Sequence, residues 1–308
     1  MAVEHSTTEQ DTSRSHRLAH SVARVYRLSI LVLSLPIVLS EYFAPKTGRE
    51  YGIGLRDKLR LGVTMLRNNR RIPTGSSFVE HLIIATKAFT VPVEEDGVLV
   101  ECGAYKGGST ANLSLVAALC GRELVVFDSF EGMPDPDDRD REHLLLASES
   151  VHTYDADAWQ GTLAEVQANI QQYGNIDACR FEVGYFEESM PAFTDPVVVA
   201  FVDVGLRSSA ETAIEYLWPH LQTGRYLFTH EAKHQEIVSL FFEDAWWRDR
   251  IGTEPPGLVG AGSGLGLHPG PNGFSSLLAY TIKSPERRQF KTVSDDGKEN
   301  VVAGHADN

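Results

Sequence analysis

The stretch VLVECGAYKGGST begins at Val98 and sets a carboxylate, Glu101, just ahead of Gly103, Gly107 and Gly108. Glycines in a strand-to-helix turn let backbone come close to a ligand, because no Cβ stands in the way. Two ligands suit such a turn. One is a pyrophosphate resting on the amino end of the helix. The other is S-adenosylmethionine, whose methionine half takes the same place. Glu101 discriminates between them, since a carboxylate repels a pyrophosphate and suits a cationic ammonium and sulfonium. A second acid, Asp128, ends the next apolar run, ELVVFDS, where a carboxylate can accept both ribose hydroxyls of an adenosine. No Gly-Lys-Ser/Thr follows the turn, so it is not a Walker loop. A tight turn with two solvated acids is the bland alternative, and the pair of acids at strand ends weighs against it.

These residues need strands that end side by side. From Val98 onward, apolar runs alternate with helical patterns. VLVECG, ELVVFDS, RFEVG from Arg180, VVVAFVDV from Val197, RYLFTHE from Arg225 and SSLLAYTIK from Ser275 read as strands. VVVAFVDV is apolar without interruption, as a strand covered on both faces requires. Helices are predicted from Ser109, around 159–173, from a Ser208–Glu211 capping box, and through Ile237, Leu240 and Phe241. The alternation predicts an α/β fold with a doubly wound, mostly parallel sheet. Ahead of it, Leu55, Leu59, Val63 and Leu66 recur at helical spacing, and Ser77 with Glu80 opens a second helix; together they predict a helical cap over 46–97. The cofactor-binding domain is expected over 98–291, between a polar tail at 1–23 and another at 292–308. The glycine- and proline-rich segment 252–274 reads as a loop.

The net charge of −14 makes nucleic acid a poor partner. Three scattered cysteines, Cys102, Cys120 and Cys179, show no disulfide or zinc spacing, which fits a reducing, cytoplasmic setting. Residues 24–45 hold an uncharged run from Leu28 to Ser40, interrupted by Pro36 and preceded by Arg24 and Arg27. A spanning helix needs about 20 apolar residues, so this run is too short. Three readings stay open: a helix packed on the domain or a partner subunit, a segment lying in the membrane interface, and a cleaved signal peptide.

ECGAYKGGST, VVFDSFEGMP and FEVGYFEESMP together resemble the macrocin O-methyltransferase family, over roughly residues 76 to 240. The resemblance implies S-adenosylmethionine-dependent methylation of sugar hydroxyls on natural products, a seven-stranded sheet whose last strand is antiparallel, and a homodimer. By position, it implies that Glu101, Gly103, Tyr105, Gly107, Gly108 and Ser109 hold the methionine end. Asp128 and Ser129 would hold the ribose, and Phe130, Gly184, Tyr185 and Phe186 would lie near the adenine. The bland reading of the aromatics is core packing.

The resemblance also implies a magnesium site of one acid after the fourth strand and an acid pair after the fifth. Here Asp203 keeps the first place, Val204-Gly205-Leu206-Arg207 follows it, and His230-Glu231 replaces the pair. Two readings compete. Asp203, His230 and Glu231 form a metal centre, in which an imidazole shifts preference from magnesium toward manganese, iron or zinc. Or the metal is lost, His230 or His234 serves as general base, and Arg207 or Lys233 supplies positive charge. The expected activity is O-methyl transfer to a hydroxyl of a sugar or lipophilic small molecule. A catalytically degenerate accessory subunit that binds the cofactor is the alternative, and a phosphate-binding dehydrogenase is weaker because of Glu101.

Overall fold

The computed structural model describes residues 25, 29, 35–136, 159–232, 234–260 and 278–284. The tails at 1–23 and 292–308, Lys233 and most of the 252–274 segment lie outside the described residues.

Six strands form one sheet in the order β3-β2-β1-β4-β5-β6. They are β1 (Val98–Cys102), β2 (Leu124–Asp128), β3 (Cys179–Val183), β4 (Val197–Val202), β5 (Leu221–Thr229) and β6 (Ala279–Ile282). The first five run parallel and β6 runs antiparallel to β5. The doubly wound α/β fold and the antiparallel last strand are as expected; the count of seven is not reached among the described residues. An isolated antiparallel bridge from Val259 to Tyr280 lies on the side of β6 away from β5, where a further strand would pair.

Side chains along each strand alternate between two cores. Leu99, Val126, Val199 and Phe201 face one side, under α1 (Leu55–Asn68), α2 (Phe78–Ala88), α3 (Gly108–Leu119) and α4 (Leu163–Tyr173). Val100, Phe127, Ala200 and Val202 face the other, under α6 (Arg207–His220) and α7 (Gln235–Leu240). A one-turn α5 (Phe186–Ser189) follows β3. The cap helices thus share one core with the sheet through Leu61, Met65, Leu82 and Ile84.

One sequence expectation fails for an identifiable reason, and one predicted helix turns an unexpected face inward. The Ser208–Glu211 capping box does not form, because α6 begins earlier, at Arg207, whose guanidinium takes the Glu211 carboxylate at 2.7 Å. In α1 the face turned inward is Lys58, Leu61, Met65 and Asn68, and the Leu55–Leu59–Val63 stripe is exposed. A chain of buried amides decides that orientation. Asn68 donates to Asn112 at 2.9 Å, and Asn112 donates to Nδ1 of His81 at 2.8 Å. The His81 proton therefore sits on Nε2, which donates to Ser76 Oγ at 2.8 Å. Burial pushes the His81 pKa down to about 4, so the ring is neutral. Unpaired buried amides are costly, and this chain pins α1, α2 and α3 together. The Ser77–Glu80 capping box of α2 forms as predicted.

In the segment 24–45, residues 35–42 are helical and Ile37 is exposed. No helix among the described residues is long and apolar enough to cross a membrane.

Candidate active site

The strand order reverses between β1 and β4, which opens a crevice beyond their carboxyl ends. Gly103 follows β1 and Asp203 follows β4. The Asp203 amide donates to the Cys102 carbonyl at 2.9 Å, and Gly103 has a φ of +91°. A Cβ at Gly103 would collide with the Asp203 carbonyl oxygen, so only glycine lets the two strand ends meet.

Asp128 organises the loops around the crevice. Its Oδ2 accepts from the Ala104 amide at 2.6 Å and the Tyr105 amide at 3.3 Å, and its Oδ1 accepts from the Phe130 amide at 2.7 Å. Tyr105 and Phe130 are held at φ values of 49° and 57°, strained for residues with side chains, and these bonds to one carboxylate hold them there. Burial raises the Asp128 pKa, and the three amides offset part of that rise.

Glu101 lies wholly buried at the end of β1, across from Val126 and Phe201. Neither carboxylate oxygen has a hydrogen bond among the described residues. Burial pushes its pKa up to about 8; the nearby Ser109 and Thr110 hydroxyls offset only part of this, and the Asp203 and Asp128 carboxylates add to it. A buried carboxylate approached only by the Ser109 and Thr110 hydroxyls is costly, and a cation placed beside it relieves that cost.

Beyond β4 and β5 stands a second cluster. His230 Nδ1 lies 3.2 Å from Asp203 Oδ1, and its Nε2 donates to Glu80 Oε2 at 3.3 Å. Glu80 Oε2 also accepts from the Ser77 amide at 2.7 Å, so the cap of α2 holds the acid in place. Burial opposes a charge on His230, but Asp203 and Glu80 outweigh it and raise its pKa well above the ordinary value. Glu231 Oε2 lies 3.1 Å from His234 Nδ1.

One cavity joins the two clusters. Of the residues singled out in the sequence, Gly103, Tyr105, Ser109, Asp128 and Ser129 line it, as do Tyr185, Phe186, Asp203, His230 and Glu231. Glu101, Gly107, Gly108, Phe130, Gly184 and His234 do not. Glu101 lies behind the wall. A Cβ on Gly108 would come within 2.6 Å of Thr74 Cβ, so that glycine admits the cap. Phe130 packs in the core against Phe181, with ring centroids 6.2 Å apart. His234 precedes α7, buried behind Glu231. Arg207 is engaged by Glu211 and Glu243 and is not on the wall.

Sequence reasoning missed several wall residues. Thr74 and Gly75 come from a stretch that reads only as a break between helices. Trp159 stacks edge-on against Tyr105 at 5.2 Å, and no local pattern marks it. Met133, Pro134 and Glu187 belong to the quoted motifs, which could have flagged them. Glu80 reads as a helix cap and is also the partner of His230.

The donor set fits a divalent cation. One ligand atom each from Asp203, His230 and Glu231 lie within 4.8 Å of one another. A carboxylate on the second nitrogen of a ligating histidine, here Glu80, is the usual support for such a ligand. Two carboxylates with an imidazole suit manganese, iron or zinc better than magnesium.

The sequence profile of the macrocin-O-methyltransferase (TylF) family matches residues 42–251, more than half of the chain. No curated protein sequence matches. Among solved structures, the O-methyltransferase NovP is similar at 18% identity and a TM-score of 0.46, over 85% of this chain and 99% of that one. CalS11, a calicheamicin methyltransferase, is similar at 15% and 0.42, over 75% and 93%. TomG from Streptomyces achromogenes, an O-methyltransferase of tomaymycin synthesis solved with S-adenosylmethionine, is similar at 11% and 0.43, over 73% and 89%. At such scores these likenesses carry no weight here, and the assignment rests on the profile match. The chain belongs to the macrocin-O-methyltransferase family and is an O-methyltransferase whose methyl donor is S-adenosylmethionine.

Proposed function

We propose that the protein methylates a hydroxyl of a sugar or of a glycosylated, lipophilic small molecule. The observation that carries this reading is the continuous cavity whose wall runs from Gly103 and Asp128 to Asp203, His230 and Glu231. The first pair forms the donor end and the other three form the acceptor end.

S-adenosylmethionine, when bound, supplies an electrophilic methyl group on a sulfonium. The Gly103 turn and the Ser109 hydroxyl hold the methionine end, and Glu101 behind them supplies negative charge beneath the cationic centre. Asp128 and Ser129 receive the ribose, with Tyr185 and Phe186 toward the adenine. The protein's work is alignment and the removal of one proton. Asp203 and Glu80 raise the pKa of His230, which argues against it as the base in a metal-free site. Asp203, on the cavity wall, accepts the acceptor's hydroxyl proton, while the imidazolium beside it steadies the developing oxyanion. In the metal-bound alternative, Asp203, Glu231 and a deprotonated Nδ1 of His230 would hold a divalent cation, which would supply the positive charge in place of the imidazolium and lower the pKa of the acceptor oxygen.

The apolar run at 28–40, with Arg24 and Arg27 before it, supports an acceptor met at a lipid surface. A homodimer is proposed on the family resemblance alone, and light scattering measures it.

Transfer of labelled methyl to a panel of glycosides, nucleotide sugars and simple phenols tests the reading. Turnover on glycosidic hydroxyls, with the label recovered as a methyl ether, is expected. Donor binding without turnover on any member, or methylation confined to phenols, would overturn it.

A further inference from the structure

The outward face of α1 has no role in the site, and its composition is unlike that of the rest of the chain. Leu55, Leu59 and Val63 are 62%, 50% and 44% exposed, one helical turn apart. Residues three or four apart share a face, so they form a continuous apolar stripe. Arg56, Arg60 and Arg67 occupy the adjoining strip around the same helix. All three are exposed, and none makes an ion pair among the described residues. Residues 46–71 hold eight lysines and arginines against two acids, in a chain whose net charge is −14.

Local cationic charge beside exposed aliphatic side chains, on an otherwise acidic protein, selects a partner that is both anionic and apolar. A bilayer with acidic headgroups offers both: the stripe enters the acyl boundary and the arginines stay at headgroup level. A second copy of this chain is a poor occupant, because pairing the stripe with itself would bring two rows of arginines together. We propose that α1 docks flat on an anionic lipid surface through Leu55, Leu59 and Val63, with Arg56, Arg60 and Arg67 setting its preference for acidic lipid. This contact is independent of the methyl-transfer reading, and its failure would leave that reading untouched.

Co-sedimentation of the full chain with phosphatidylcholine vesicles, with and without phosphatidylserine, tests the proposal. Binding is expected to the mixed vesicles, and to weaken with salt. Each surface arginine contributes about fivefold in partitioning, so Arg56→Gln/Arg60→Gln/Arg67→Gln weakens it about a hundredfold. The charge-conserving lysine triple variant binds as the wild type does, because the interaction is with charge. Leu59→Gln weakens binding about tenfold. All variants keep the wild-type melting temperature and donor affinity, since no altered side chain is buried or on the cavity wall. The proposal is overturned by an absence of wild-type binding, by equal binding to neutral vesicles, or by wild-type binding in the glutamine triple variant, which would assign attachment to residues 24–45. It is also overturned if Leu59→Gln converts a dimer to monomers, which would make this face a subunit interface.

Discussion

Replacing Glu101 with glutamine removes a buried acid whose pKa stands at about 8 against an ordinary 4.5. Between those values the folded chain holds a proton on Glu101 that the unfolded chain has released. Stability therefore falls as pH rises across that window, fully retained below 4.5 and fully lost above 8. Each pH unit inside the window costs about 1.4 kcal/mol. From pH 5.5 to 7.5 the wild type should lose about 3 kcal/mol more than Glu101→Gln, whose side chain does not titrate. Urea unfolding of both proteins across that range measures the difference in slope. Any constant cost of burying the glutamine amide cancels in this comparison. The same proton should leave when the cationic donor binds. Calorimetry of S-adenosylmethionine binding near pH 7, in buffers of different ionisation enthalpy, should show proton release in the wild type that Glu101→Gln lacks. Parallel pH–stability curves together with equal proton release would refute the reasoning that Glu101 is a neutral buried acid awaiting a cation.

Three further outcomes follow from the geometry. Asp128→Asn removes the charge that three loop amides share and that we propose receives the ribose, and should weaken donor binding about 10- to 100-fold in calorimetry; unchanged affinity would remove Asp128 from the proposed cofactor site. Gly103→Ala drives a Cβ into the Asp203 carbonyl at a positive φ, and should cost about 3 kcal/mol or more in urea unfolding; wild-type stability would mean the turn is looser than described. Glu80→Gln keeps a group in the α2 cap but removes the charge behind His230. It should lower kcat about 10- to 100-fold while the donor Kd stays within about twofold; equal losses in both would make Glu80 a structural residue only.

The sheet was legible because β4 and its neighbours are short, apolar and β-branched, and little else suits such runs. The proposed donor end was legible because Glu101, Gly103 and Asp128 stand at strand ends, where chain direction alone brings them together. Glu80 was read for its local role in the α2 cap, and its pairing with His230 spans chain-distant elements that no periodicity encodes. The α1 face is the instructive case. Apolar spacing marks Leu55, Leu59 and Val63, yet the buried face carries Asn68, because the amide chain through Asn112 and His81 outweighs the stripe. Trp159 could not have been found from its neighbours, since its place depends on contact with Tyr105.

A crystal structure with S-adenosylhomocysteine, the demethylated donor, tests the central claim most directly. The account predicts the product in the cavity between Gly103 and Asp128, its ribose on the Asp128 side and its sulfur aimed toward Asp203 and His230. A product bound elsewhere, or lying with its adenine against His230 and Glu231, would contradict it.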